Sequence, residues 1–366
     1  MANYICYLIL IGIQLPFFYK KDELGNWYLK NKAYLALCCV EMIFLAGLRG
    51  YTVGADTATY LFALNYYQGI PFADIIAGKY MPPMDFEWGY FLFTEICRTM
   101  GMNETVYLFV IACLIYIPVF RTISKYSDMP FLSLLCYFAF GMFSYSIGIF
   151  RQMIAISILL CGWRFVEERK LVKYLCVVAL AMTFHATALV AVMLYILYGI
   201  KWKRIIWLLP AVEVGLLVFG RKIIMLATKI LPQYADYLGG KYDVSGGSYK
   251  MLLLLNVVLI ASILFRNREN SRDDMAICAL VLAICVQAVG YAMGIFGRMV
   301  PYFSMYLLFA IPNAVHGVKK EFRPWCVVAA VACLCVLVYM EFHGNQYVTP
   351  YYTIFNSWLS SITTRE

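Results

Sequence analysis

The chain has 366 residues, of which 63% are hydrophobic and only 14% charged, with a mean hydropathy of +0.74 and a formal net charge of +9. A soluble domain carries roughly a quarter charged residues, so this composition excludes a water-solvated globule and makes lipid the solvent. No hydrophilic stretch is long enough for a second domain, and residues 1–366 read as one integral membrane domain.

The thirteen cysteines sit mostly singly inside apolar runs, and neither Cys38-Cys39 nor Cys333-x-Cys335 has zinc spacing. They read as small hydrophobes in lipid. No cleavable signal peptide is visible, because the apolar run from Tyr4 to Phe18 leads straight into Lys20 and Lys21.

A membrane-crossing helix needs about 20 mainly apolar residues. In chain order, candidate spans lie near 2–19, 33–48, 104–120, 130–148, 152–166, 174–185, 186–199, 205–219, 251–265, 275–296, 299–316 and 325–341. The expected fold class is therefore all-α, a polytopic membrane helical bundle of about 12 transmembrane helices. Residues 49–103 read as an outward-facing loop, and 220–250 as a second outer loop. Within the first, 86–100 is amphipathic, with Glu87, Glu95 and Arg98, and reads as an interfacial or re-entrant helix.

Lys and Arg in short loops set orientation. The loops 20–32, 121–128, 164–173, 201–204, 266–274 and 319–323 hold nineteen of the thirty basic residues, and all fall on one side if 86–100 does not cross. The positive charge thus belongs to membrane orientation, which removes the argument for nucleic acid. Loop 220–250, with five basic residues, departs from the pattern. No inverted repeat of the kind many transporters carry is visible.

A few polar residues remain at the outward ends of spans: Arg49, Asp56, Glu87, Arg151 with Gln152, His185 and Arg298. Charges so placed are expensive in lipid and usually face a bundle interior or a wet cavity. Arginine binds phosphate through a planar, permanently charged fork. Asp56 and Glu87 could accept sugar hydroxyls or a proton, and His185 competes for the same role. Simpler readings stand beside these. An arginine at a helix end can snorkel to headgroups. Asp56 can cap a helix or pair with Arg49, Glu87 can be a helix-start charge, and His185 can bond between helices. Tyr60, four residues after Asp56, can anchor at the interface. No zinc or magnesium motif, P-loop, dinucleotide fingerprint or nucleophile elbow appears.

The segments Arg49-Gly-Tyr-Thr-Val-Gly-Ala-Asp56-Thr-Ala-Thr-Tyr60, Glu87-Trp-Gly-Tyr90, Ser146-Ile-Gly-Ile-Phe-Arg151-Gln152-Met-Ile-Ala155, Phe184-His185-Ala-Thr-Ala188 and Arg298-Met-Val-Pro-Tyr302-Phe303, with Pro312 following, together resemble the EpsG/Wzy-like family of bacterial polysaccharide polymerases. They span residues 49 to about 312, departing at Thr187, where the family more often has serine. The resemblance implies a GT-C-like bundle and a glycosyltransferase. Such an enzyme joins undecaprenyl-diphosphate-linked oligosaccharide repeat units at the outer face of the cytoplasmic membrane into exopolysaccharide, capsule or O-antigen. It also implies a flippase and a chain-length regulator as partners, beside membrane lipid.

On that reading the leaving group is a lipid diphosphate, and cations that hold it do most of the work. Arg49, Arg151 and Arg298 are the candidates, without a metal or cofactor. Tyr60, Gln152 and Tyr302 are candidate positioning residues. Glu87 ranks ahead of Asp56 and His185 as base, on the expectation that an apolar interface raises its pKa. Two other classes fit part of the pattern: a flippase or transporter of lipid-linked oligosaccharides, and an O-antigen ligase.

Overall fold

The computed structural model describes residues 1–21, 27–82, 84–200, 206–230, 248–265 and 271–355. The chain packs as two compact units, the first comprising Met1–Trp163, Leu175–Leu189 and Ala329–Glu366, the second Arg164–Tyr174 and Val190–Val328.

The first unit contains α1 (Ala2–Gln14), α2 (Asn31–Gly47), α3 (Thr57–Tyr66), α4 (Phe72–Ile76), α5 (Trp88–Thr99), α6 (Glu104–Tyr126), α7 (Pro130–Ala139), α8 (Met142–Gly148) and α9 (Phe150–Cys161). A short antiparallel hairpin, β1 (Tyr19–Lys21) with β2 (Trp27–Leu29), joins the first two helices. α6 is the central element and packs against both α2 and α9. Its start is set by Asn103, whose side chain accepts the Val106 N–H at 2.9 Å. α7 opens on Pro130, where a missing N–H costs nothing. Tyr4, Phe138, Phe143 and Phe342 pack into one aromatic core that ties α1 to the end of the Arg323–Phe342 helix.

Chain continuity carries α10 (Trp163–Glu167) and α11 (Leu171–Phe184) across the division between units, and α12 (Val192–Leu197) follows in the second. There the helix Ser271–Ala292 is enclosed by Leu209–Ile230, Tyr249–Leu264 and Leu307–Gly317. Polar residues bond between these helices: Asn256 of Tyr249–Leu264 donates to Glu213 of Leu209–Ile230 at 3.1 Å, and Asn313 of Leu307–Gly317 donates to Asp273 of Ser271–Ala292 at 3.3 Å. The Arg169 guanidinium donates to the Tyr195 carbonyl at 2.6 Å, and the Tyr195 hydroxyl donates back to the Arg169 carbonyl at 2.6 Å.

Among the described residues, Glu104–Tyr126, Asp273–Tyr291 and Arg323–Phe342 are long and apolar enough to cross a membrane. The pair α7–α8, bent by 62°, would make a fourth span. The expected dozen is larger because several apolar runs are broken into pieces. α9, for example, has 12 residues, about 18 Å of helix against a hydrocarbon core of about 30 Å. The breaks fall at Gly141, Ile149 and His185, the last two within the polar motifs. α5 is also 12 residues long and amphipathic, burying Tyr90, Thr94, Cys97 and Glu95, whose carboxylate accepts Arg98 Nε at 2.8 Å, while exposing Trp88 and Ile96. The expected second outer loop differs at its start, since the Leu209–Ile230 helix carries through 220–230. Residues 231–247 of that loop, and basic residues Lys201, Lys203, Arg204, Arg266 and Arg268, lie outside the described residues.

Two glycines let the motif segments meet. Gly54 has φ +107°, and a Cβ there would run into the Ile147 carbonyl at the α8–α9 break. Thr57 seals that approach, its hydroxyl within bonding distance of the Val53 and Ile147 carbonyls at 2.8 and 2.9 Å. At Gly89, a Cβ would lie 2.6 Å from the Thr183 Cβ, so only glycine admits α11 against the start of α5.

Gly54→Ala combines a left-handed backbone with a collision against main chain, and should destabilise by about 2–5 kcal/mol. Gly101→Ala shares a positive φ of +72° but meets open space, so it should cost only about 1–2 kcal/mol. Melting of the purified protein in detergent checks this; equal losses for both would show that the Gly54–Ile147 approach is not tight.

Candidate functional site

Glu87 is the N-cap of α5, yet its side chain makes no capping bond. Instead the carboxylate turns away from its own helix. Its Oε1 accepts the Ala186 N–H at 3.0 Å and faces His185 Nδ1 at 2.9 Å. Its Oε2 accepts Arg151 Nη1. Three segments distant in sequence therefore meet on one carboxylate: the approach to α5, the first turn of α9 and the residues just past α11.

Each arrives by a local cause. Arg151 is the second residue of α9, which can begin there because Ile149 leaves helical geometry at φ −118°, ψ 69°. His185 follows the last residue of α11, where the chain turns into a 3-10 segment and frees the Ala186 N–H. Glu87 is 20% exposed, and Arg151 and His185 are each 22% exposed, a site shielded but reachable by water.

Burial alone would raise the Glu87 carboxyl, but the bonds from His185 and Ala186 and the Arg151 charge outweigh it and hold the group down at about 2. The sequence-based ranking of Glu87 as base rested on a raised pKa, and the geometry reverses that premise. An ionised carboxylate only accepts, so His185 Nδ1 is the donor in their bond and the ring's Nε2 is the nitrogen left for chemistry.

The arginines are seated on aromatic faces. Arg151 lies 4.7 Å over Phe86, and Arg49 lies 5.1 Å over Phe150. Between these rings stands Tyr60, 2% exposed, stacked on Phe150 at 4.5 Å and packed on Phe86 at 5.7 Å. Its hydroxyl also interacts with Arg151. Both guanidiniums therefore rest on members of one set of contacting rings. Arg49 does not pair with Asp56, which is exposed at the N-cap of α3 without a side-chain cap. Arg49 instead borders a cavity of about 510 Å³ that has neither Arg151, Glu87 nor His185 in its lining. Burial lowers Arg49 to about 10, leaving it charged at neutral pH.

Gln152 is buried on α9. Arg298 and Tyr302 belong to the second unit, Arg298 exposed on the 3-10 segment Gly294–Met299 and Tyr302 buried in the helix Pro301–Ser304. Sequence reasoning missed Phe86, Phe150 and the Ala186 N–H, although each directly adjoins a candidate residue. It also missed the C-terminal segment around Thr353, which bridges to Arg49 and carries no motif. Among the described residues, no three His, Cys, Asp or Glu side chains converge as a metal-binding group.

A family model, the EpsG family, matches residues 32–353, nearly the whole chain and every motif segment described above. The chain belongs to the EpsG family. No curated protein and no solved structure matches it. EpsG membership gives the chain a role in polysaccharide biosynthesis as a glycosyltransferase-like polymerase, and its apolar helices fit a multi-pass membrane protein.

Because Glu87 is held at about 2 against an ordinary 4.5, its contribution to stability is complete above pH 4.5 and is lost as pH falls toward 2. The acid limb of the melting temperature, recorded in detergent between pH 6 and pH 3, should flatten in Glu87→Gln. An acid limb identical to wild type would mean the carboxylate is not so held.

Proposed function

We propose that this EpsG protein polymerises lipid-linked oligosaccharides, with His185 as general base, Glu87 as its positioning residue and Arg151 as the cation on the donor diphosphate. The observation that supports this most is the convergence of His185 Nδ1 and Arg151 Nη1 on the two oxygens of one carboxylate. Glu87 fixes the imidazole tautomer, so that Nε2 presents a lone pair rather than a proton.

In the step envisaged, an acceptor sugar hydroxyl attacks the anomeric carbon of the donor. Its proton passes to His185 Nε2 as the new glycosidic bond forms. The bond between that carbon and the lipid diphosphate breaks, and the electron pair leaves with the diphosphate, whose charge Arg151 offsets. The Arg151 Nε, buried and without a hydrogen-bond partner, is a donor still to be satisfied by substrate. A diphosphate is already a good leaving group, so we assign the reaction no metal; chelator treatment of the purified protein should leave the rate unchanged.

The donor we have in mind is undecaprenyl-diphosphate-linked, and the reaction runs at the outer face of the cytoplasmic membrane within a GT-C-like bundle, alongside a flippase and a chain-length regulator. Tyr60 and Gln152 position substrate or its cation. Arg298 and Tyr302 are carried as substrate contacts on their motif alone, and Asp56 as a weaker candidate for the proton.

His185→Gln should lower polymer formation about 10²–10⁴-fold in a reconstituted assay with lipid-linked repeat units. Glu87→Gln should also lower it and shift its pH profile, because the amide can hold the wrong tautomer. Wild-type polymer from His185→Gln would remove it as base. In cells, loss of the gene should leave single repeat units on the outer face; repeat units trapped on the inner leaflet would indicate a flippase, and polymer lacking attachment to its acceptor a ligase.

A further inference from the structure

The cavity of about 510 Å³ lies wholly within the first unit and falls in the range of roughly 300–1,000 Å³ common to ligand pockets. Its walls come from the loop after α2, from α3 at Leu61, from the start of α6 and from the segment Tyr352–Ile354. One basic residue borders it, Arg49, and that guanidinium is committed elsewhere. Its Nη1 donates to the Ala46 carbonyl, and the rings around it are Phe150, Tyr4, Tyr90, Tyr116 and Tyr351, none of which lines the cavity. The cavity therefore offers no cationic side chain, and an anion entering it would meet only the like charge of Glu104.

What the lining does offer is hydroxyls. Those of Tyr51, Thr52, Thr105 and Tyr352 bond to no other described residue, and Glu104 gives only its Oε1 to the Asn65 amide, at 2.8 Å. A hydroxyl both donates and accepts and a carboxylate accepts, so this wall matches a ligand rich in hydroxyls of its own. Tyr51 and Tyr352 are also 61% and 46% exposed. Single exposed tyrosines are ordinary at a membrane surface. Two beside one cavity, with threonine hydroxyls and a carboxylate between the same walls, have the composition that holds a sugar. A pyranose presents apolar C–H faces to aromatic rings and a rim of hydroxyls to polar groups.

Main-chain bonds hold the cavity in shape. Gly50 N–H donates to the Tyr352 carbonyl at 2.8 Å, Ile354 N–H to the Leu48 carbonyl at 3.0 Å and Gly54 N–H to the Tyr347 carbonyl at 2.6 Å. The backbone is thus pinned while the side chains of Tyr51, Thr52 and Tyr352 stay uncommitted, and a ligand meets a wall already formed. The cavity and the Glu87 cluster share α3. Leu61 lines the one, and Tyr60 beside it reaches Arg151 in the other.

We infer that this cavity is a glycan subsite, which holds neutral sugar residues of the repeat unit or growing chain while the Glu87 cluster handles the diphosphate end. The source of the glycan rests on the polymerase reading; its chemistry rests on the lining.

Neutral oligosaccharides, cut by partial acid hydrolysis from the surface polysaccharide of cells carrying the gene, are titrated calorimetrically into the full chain in phosphatidylcholine nanodiscs with no lipid-linked donor present. Tyr51→Ala and Tyr352→Ala should each weaken binding about tenfold, and Tyr352→Phe should keep most of it because the ring remains. Thr105→Trp, which fills the cavity, should abolish it. Tyr66→Ala removes an exposed tyrosine that does not line the cavity and should bind as wild type does. Inorganic pyrophosphate should bind Tyr352→Ala no more weakly than wild type. Melting in detergent identifies the folded variants, and Tyr352→Ala keeps the main-chain bonds of the wall should Thr105→Trp fail to fold. No binding by wild type, undiminished binding by folded Tyr352→Ala, an equal loss in Tyr66→Ala, or pyrophosphate binding that disappears in Tyr352→Ala overturns the subsite. Because binding is read without transfer, the two readings fail separately. Glycan held in the cavity of a protein that makes no polymer keeps the subsite and removes the polymerase, and polymer from a protein whose cavity holds no glycan does the reverse.

Discussion

A single carboxylate organises the site. Glu87 is largely shielded from water and held ionised, so its two oxygens must find donors within the protein. His185 and Ala186 come from the end of α11, and Arg151 from the start of α9. An uncompensated charge in that position would be worth several kcal/mol of instability, and the same requirement that pairs it also gathers the groups we propose for the reaction.

That convergence is possible because the main chain comes unusually close at two places. Gly89 lets Thr183 lie where a side chain would otherwise stand, which brings α11 to Glu87. Gly54 lets the loop before α3 rest on Ile147 at the α8–α9 break, which holds Phe150 and Arg151 in register with Tyr60. Helix breaks at Ile149 and His185 interrupt apolar runs. A helix end leaves backbone groups without intrahelical partners, and here the Ala186 N–H is received by Glu87 itself.

The two arginines of this unit show how similar residues acquire different chemistry. Both lie on faces of the contacting rings Phe150, Tyr60 and Phe86, Arg49 on Phe150 and Arg151 on Phe86. Arg151 is neutralised by a carboxylate in direct contact. Arg49 has only ring faces and one carbonyl, and residues some three hundred positions away bond to the main chain on both sides of it. So long a separation leaves no local pattern by which a sequence could announce that contact.

Much of the outline was legible in residue order. Composition dictated lipid as solvent, charge against an apolar background singled out Glu87, Arg151 and His185, and the amphipathic pattern of 86–100 anticipated α5, because burial and the 3.6-residue period act locally and leave their mark on every turn. Among the described residues fewer helices are long and apolar enough to cross than hydropathy alone suggests, since hydropathy averages over the break that the backbone makes at a polar motif. The partners of each charge, the lowered rather than raised pKa of Glu87, and the division between Arg49 and Arg151 depended on contacts between distant segments. Hydropathy and motif order are properties of the chain, whereas electrostatic environment is a property of what folding places within a few ångströms.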